Sequence, residues 1–495
     1  MSGRAGPGGT PPGMLRVLDR RRAGVLLHAT SLPDANHGAL GQAARSFVDW
    51  LAAGGFSVWQ FLPLGPVGPD RSPYFARSNH AGDPALVDLA TLAAARLIDA
   101  RDLGRAPRAM LLSQAAQAVA ADRGAEGGAF ARFRRHEAHW LDDYALFMAI
   151  QGHEGGRPWW QWPEALRRRE PAALGAARAA LAGAIAELEA GQYFFHSQWH
   201  ALRAYAAGRG VRLFGDVPIY VAPDSVEVWA HPELFQLDAG GEPTAVAGVP
   251  PDYFSADGQR WGNPLYRWEA HEATGFAWWL ERLRAQFELF DLVRIDHFRG
   301  LEAYWAVPAG APTAATGEWR LAPGEALLRR ARATFGRLEV VAEDLGVITP
   351  EVEALRDGFG LPGMRIAQFG FDGDQRNVHV PHNWTARSVG YTGTHDNDTS
   401  AGWYAHLDPG AQQFVADYLG ASGAAVVPAL VRSVLASVAL LAVVPMQDLL
   451  GLGTEARMNL PGTTEGNWGW RFSWAEVPAT LAARCERWNR VYGRA

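Results

Sequence analysis

Leu292-Val293-Arg294-Ile295-Asp296-His297 (LVRIDH, 292–297) is a short apolar run that closes on a carboxylate. On a strand, alternate residues share a face, so Arg294 and Asp296 point together. Seven further runs have a similar build, most with β-branched or aromatic residues: 24–28, 58–63, 211–217, 338–344, 364–369, 389–395 and 441–448. Helical patterns such as 350–357 and 411–421 lie between several of them. Strands alternating with helices make parallel sheets, and eight of them predict an α/β chain folded as a (β/α)8 TIM barrel. A doubly wound open sheet is the competing layout, but no GxGxxG opens a helix here.

The polar residues are placed to match. Asp216, Asp296, Glu343, His395 with Asp396, and Gln447 with Asp448 all sit at the C-terminal ends of these runs. In a barrel that end is the mouth, where active sites are built. Strands also end in polar residues simply because loops begin there, but carboxylates at five ends in succession favour a site.

Composition narrows the chemistry. A chain of 495 residues fits about three domains, or one barrel with insertions. The net charge of −6 with 20% charged residues offers no basic field for nucleic acid. All 46 basic residues are arginine, so Schiff-base chemistry, pyridoxal phosphate attachment and a P-loop lysine are excluded. The single cysteine, Cys485, has no internal disulfide partner and points to a reducing compartment, the cytoplasm. The Gly/Pro-rich segment 1–13 reads as a disordered tail without the marks of a signal peptide. The longest apolar stretch, 424–446, is broken by Pro428 and Arg432, so no membrane span is expected. Twenty tryptophans supply flat faces that suit sugar rings, although most tryptophans serve packing.

Within a catalytic barrel spanning 14–495, two spans exceed ordinary strand-to-helix connections. Segment 65–210 is Ala- and Arg-rich with helical periodicity, as in 172–190, and reads as a helical insertion. Segment 223–287 is rich in Pro, Gly, Asp and Trp and reads as a lid or substrate wall over the mouth.

Arg294 beside Asp296 favours the ionised carboxylate that a nucleophile requires, although the pair also reads as a structural ion pair. Glu343 follows an apolar strand, a setting that raises a carboxyl towards a general acid's range, whereas its neighbour Asp344 points the other way and reads as structural. One ionised and one protonated carboxyl are what glycoside cleavage needs. His395 and Asp396 side by side also suit a metal, but no further His or Cys stands at ligand spacing, so sugar hydroxyls are the better fit. No metal and no cofactor are expected. A GxSxG elbow and a phosphate-cradling glycine loop are both missing.

Ten segments, from GVLLHATSLP (24–33) and WQFLPLGP (59–66) through SPY (72–74), GDVPIY (215–220) and GVPPDYFSADGQRWGNP (248–264), carry a resemblance. The others are VRIDHFRGLEAYW (293–305), AEDLG (342–346), PGMRIAQFGFDG (362–373), GYTGTHDNDTSAGW (390–403) and QDLLGLGTEARMNLPGTTEGNW (447–468). Together they resemble the amylomaltase family (4-α-glucanotransferase, or disproportionating enzyme), relatives of the α-amylases. The resemblance implies Asp296 as nucleophile, Glu343 as general acid/base and Asp396 as the carboxylate that grips ring hydroxyls in the transition state. It implies Arg294, His297 and His395 around the sugar, with Tyr74 stacked beneath. Ser72, Asp216, Asp252 and Asn467 would hydrogen-bond nearby, and Gln259 and Trp261 would belong to a lid on the acceptor side.

The implied activity is transfer of α-1,4-glucan segments to the 4-hydroxyl of glucose or a maltooligosaccharide by retaining double displacement. The implied partners are maltooligosaccharides, starch- or glycogen-derived glucans and glucose. The rivals are a hydrolase using the same acids and a non-catalytic glycan-binding barrel; loss of an acid would favour the latter, and all three are present. The sequence departs from the family pattern at Phe75 for glutamine, across SNHAGDP (78–84), at Ala29 and at Leu460. Phe75 bears on donor-side contacts and chain-length preference.

Overall fold

All eight apolar runs form strands, and most strands stop short of the polar residues that end their run. The structure, a computed structural model, describes residues 17–33, 35–122, 124–251 and 257–495; the 1–13 segment and Asp252 lie outside them. In chain order the first strands are β1 (Arg22–Leu26), β2 (Val58–Gln60) and β3 (Arg212–Val217). Then come β4 (Ala245–Val249), β5 (Gln259–Pro264), β6 (Leu292–Ile295), β7 (Ala303–Pro308) and β8 (Glu318–Leu321). The last are β9 (Val340–Ala342), β10 (Gly363–Ile366), β11 (Ser388–Tyr391) and β12 (Leu441–Pro445). Eight of them make the parallel sheet of a TIM barrel, in the order β10-β11-β12-β1-β2-β3-β6-β9.

Alternation sorts the side chains. Phe214, Leu292, Val341, Met364, Val389, Tyr391, Leu441 and Val443 form one buried cluster inside the barrel. Their neighbours Leu213, Val293, Val340 and Ala442 join the larger cluster between strands and helices. On that outer face a Cβ at Gly215 would come within 2.3 Å of the Phe290 ring, so only glycine lets the aromatic layer close on β3.

The barrel has a seam. Between β9 and β10 the backbone contact narrows to the Ala342 N–H on the Pro362 carbonyl at 2.9 Å. Asp344 completes the join: its Oδ1 accepts the Met364 N–H at 2.6 Å, and Oδ2 pairs with Arg356 and, at 3.4 Å, with Arg365. This is the structural use expected for it.

The insertions are more ordered than their composition suggests. The helical periodicity of 172–190 belongs to two helices, Pro171–Ala180 and Ala182–Gly208, which meet at 82°. The longer one lines β3, where Trp199 packs against Phe61 and Phe290. Segment 223–287 contributes β4 and β5, which pair with β7 and β8 in a separate antiparallel sheet of order β5-β4-β7-β8. That sheet therefore extends beyond 287 to residue 321, a boundary the sequence reading did not foresee. Among the described residues no single helix is long and apolar enough to cross a membrane; 424–446 divides between the helix Val426–Ala436 and β12.

Candidate active site

The inward alternation of three adjacent strands carries on past their apolar residues. Phe214 is followed two positions later by Asp216, Arg294 by Asp296, and Val341 by Glu343, so β3, β6 and β9 deliver three carboxylates to one layer. Backbone pairing continues to this level: Asp296 N–H donates to the Val217 carbonyl at 2.9 Å and Glu343 N–H to the Ile295 carbonyl at 3.1 Å.

Arg294 is the hub. Its Nη1 donates to both Asp216 oxygens, at 2.9 and 2.7 Å, and its Nη2 lies 2.7 Å from Asp296 Oδ1. Tyr74 adds its hydroxyl to Asp216 at 2.7 Å. Burial alone would lower the arginine's pKa, yet the Asp216 and Asp296 carboxylates hold it well above the ordinary range. For Asp216 burial pushes upward and Arg294 pulls the other way. Three donated hydrogen bonds decide the matter for an ion pair. Asp216 is sealed in this pair, while Asp296 keeps 29% of its side chain exposed and can reach a substrate.

Glu343 sits in the opposite electrostatic situation. Burial pushes its carboxyl up to about 8, with the Asp296 charge adding to the shift and Arg294 opposing it. Its oxygens accept backbone N–H groups from His297 at 2.6 Å and Leu345 at 2.8 Å. The His297 that makes the first of these bonds is in a left-handed conformation, φ 47° and ψ 50°, which is strained for a residue with a Cβ. The His297 ring is held neutral, its pKa lowered by burial to about 4, and its Nε2 has no partner among the described residues. A proton is thus held on Glu343 below about pH 8 and lost above it. Activity that depends on this proton should fall as pH rises through about 8, read as the basic limb of kcat/KM. A profile flat to pH 10 would refute the assignment of that proton.

Asp396 arrives by a different route. It lies on a tight turn after β11, where Asn397 Oδ1 accepts from the backbone and hydroxyl of Thr394, both at 2.9 Å. The turn is anchored by Asp448, which accepts from Thr392 Oγ1 at 2.5 Å and from the Ser400 backbone and hydroxyl at 2.7 Å each. Asp448 is therefore a buried support of the site, as is Gln60, which accepts the Tyr391 hydroxyl at 3.0 Å. His395 stacks on Tyr74, with ring centroids 5.2 Å apart, and its Nε2 is 3.3 Å from Asp396 Oδ1.

Tyr74, Asp216, Arg294, Asp296, His297, Glu343, His395 and Asp396 thus form one connected group. Trp261 meets the edge of His297 at 4.8 Å, and Gln259 accepts the Trp261 indole N–H at 3.1 Å, so Gln259 orients the indole. Ser72 caps the turn Pro73–Phe75 by accepting the Tyr74 N–H. Asn467 does not offer its amide to this group: it accepts the Leu460 N–H at 2.9 Å and donates to Thr463 at 3.0 Å within its own loop. Asn459, which donates to Asp396 Oδ1 at 2.6 Å, and Trp468, 6.0 Å from the rings of Tyr74 and His395, escaped the sequence reading. No spacing links Asn459 to an acid 63 positions earlier; the RMNLPG segment around it was the only signal. Among the described residues no group of three His, Cys, Asp or Glu is arranged to hold a metal ion.

Comparison with known proteins gives one answer. A family model described as 4-alpha-glucanotransferase matches residues 27–477. A 4-alpha-glucanotransferase of Thermus thermophilus is 52% identical, the alignment covering 94% of this chain and 97% of the relative. One from Synechocystis is 46% identical over 97% of this chain and 99% of its own. Among solved structures, an amylomaltase from Streptococcus agalactiae in complex with acarbose superposes with a TM-score of 0.93 at 36% identity, covering 96% of this chain and all of that one.

Proposed function

From the premise that this chain belongs to the 4-α-glucanotransferase family, we propose that it transfers α-1,4-glucan segments by retaining double displacement through Asp296 and Glu343. The observation that carries this reading is the split between two acids at the ends of adjacent strands, one paired with Arg294 and open, the other buried with its carboxyl pushed upward by that burial. Neighbouring strands run about 4.8 Å apart, close to the 5–5.5 Å that separates the carboxyls of retaining enzymes.

Asp296 attacks C1 of the donor glucose as Glu343 passes its proton to the glycosidic oxygen, and the C1–O bond breaks. The freed chain leaves a glucosyl ester on Asp296. An acceptor 4-hydroxyl then gives its proton back to Glu343 and attacks C1, releasing Asp296. Two inversions restore the α configuration. Arg294 holds Asp296 ready, Tyr74 and His395 present flat faces to the sugar, and Asp396 grips its hydroxyls. That the Streptococcus amylomaltase was solved in complex with acarbose supports a ligand-binding site at this place in the fold. The buried free thiol of Cys485 fits a reducing, cytoplasmic setting.

Transfer requires a sugar hydroxyl to outcompete water at about 55 M. Well-placed groups reach effective molarities of roughly 10⁵ M or more, enough to reverse that excess if the acceptor is bound and oriented. Trp261, braced by Gln259 against His297, supports such an acceptor wall. With maltotriose alone the expected products are glucose and a ladder of longer maltooligosaccharides at a constant number of reducing ends. Reducing ends rising in step with glucose, without longer products, would make the enzyme a hydrolase. Trp261→Ala should shift the balance towards water.

A further inference from the structure

Asp216 and Glu343 are buried and held by close neighbours, but Asp396 rides on a partly buried turn with 45% of its side chain open. What aims it comes from elsewhere in the chain. Residues 458–468 form a clasp: the Trp468 N–H closes on the Met458 carbonyl at 2.8 Å, and Asn467 ties Leu460 to Thr463 inside it. At the base of the clasp, Asn459 Nδ2 donates to Asp396 Oδ1 at 2.6 Å. Arg457 staples the two segments together, donating to the Asn459 carbonyl at 2.7 Å and the Asp396 carbonyl at 2.6 Å. At the far end, Trp468 takes a left-handed φ of 63° and lays its ring beside Tyr74 and His395. The clasp therefore touches the sugar-facing stack and the third acid at once, while Leu460, next to Asn459, turns its side chain to solvent.

We propose that Asn459 is a positioning residue for the transfer reaction. Its amide fixes Oδ1 of Asp396 and so directs Oδ2, which has no partner among the described residues, at the ring hydroxyls of the glucose being transferred. Asn467 serves the same end by holding the clasp shut. This rests on the reading that Asp396 acts on the sugar in the transition state.

The test measures kcat and KM with maltotriose from pH 4 to 9, with thermal midpoints, for Asn459→Leu, Asn459→Asp and Asp396→Asn. Asn459→Leu keeps the size and loses the donor. It should lower kcat and kcat/KM together by about 10- to 100-fold, the worth of one charge-assisted hydrogen bond, at every pH and with KM little changed. Asn459→Asp sets two carboxylates against each other, so its loss at pH 7 should be at least as large. Its activity relative to the parent enzyme should recover as pH falls, when one shared proton bridges the pair. A merely structural role would not produce that acid recovery, and the recovery remains informative even if the variants melt lower. Parent-like kcat/KM in Asn459→Leu, or an Asn459→Asp profile that is the parent's scaled down, would overturn the proposal. If Asp396→Asn is inactive in either case, the reading of Asp396 stands and the positioning role alone fails. Parent-like activity in Asp396→Asn would remove the reading itself.

Discussion

Replacing Asp296 with alanine is expected to cut turnover on the order of 10⁴-fold or more with every donor, whether maltotriose or an α-glucosyl fluoride. A nucleophile is needed whatever leaves. Glu343→Gln should behave differently. Loss of a general acid costs about 10²- to 10⁴-fold where the leaving oxygen needs a proton, but fluoride needs none. Fluoride release by this variant should start at near the parent rate and then stall, because the second step still wants a base to take the acceptor's proton. The initial burst of fluoride, measured against enzyme concentration, reads out the covalent intermediate. Equal losses with both donors would count against Glu343 as the acid, and residual activity in Asp296→Ala would count against the nucleophile.

The second large effect is on the fold. Asp344→Ala removes the side chain that joins β9 to β10, leaving the Met364 N–H without its acceptor and the buried Arg365 and Arg356 without their shared carboxylate. Breaking a buried pair by deleting one partner costs about 3–5 kcal/mol, and the lower end applies here because Arg356 keeps Asp357. Thermal unfolding should show the loss directly. Asp344→Asn, which retains an acceptor for the Met364 N–H, should fall between alanine and the parent. An unchanged midpoint for Asp344→Ala would mean that the seam needs no such join. Since Glu343 is its immediate neighbour, the alanine variant should also lose activity before it unfolds.

These contrasts explain what could be read from residues alone. Asp216, Asp296 and Glu343 were legible because the period of two that packs Phe214, Leu292 and Val341 inside the barrel continues unbroken to the mouth. Asp448 also closes an apolar run, but off that period: Leu441 and Val443 face inward, and Asp448 lies beyond β12 in the helix Met446–Leu450, buried under the 392–400 turn and satisfied by Thr392 and Ser400. The sheet of β4, β5, β7 and β8 left little trace. β8 is exposed along its whole length and β5 contains glycine and proline, so neither shows the alternation of a half-buried strand. The resemblance makes Asn467 a sugar contact; the structure shows its amide bonding to Leu460 and Thr463 within its own loop. Asn459 was invisible because its partner is remote in the chain.

The pairing of β1 with β12 has a consequence for how the molecule is made. Arg22 to Leu26 lie in register with Leu441 to Pro445, so about 415 residues separate two strands that must lie side by side. At roughly 5–20 residues per second, synthesis of that interval takes on the order of 20–80 s. Throughout it β1 has one open edge, and open edges recruit other strands. β2 covers the other side of β1 early, but nothing before residue 441 takes the place of β12. The margin of the barrel at β1 can therefore close only when residues 441–445 have been made, and any strand that paired there earlier would have to give way to β12.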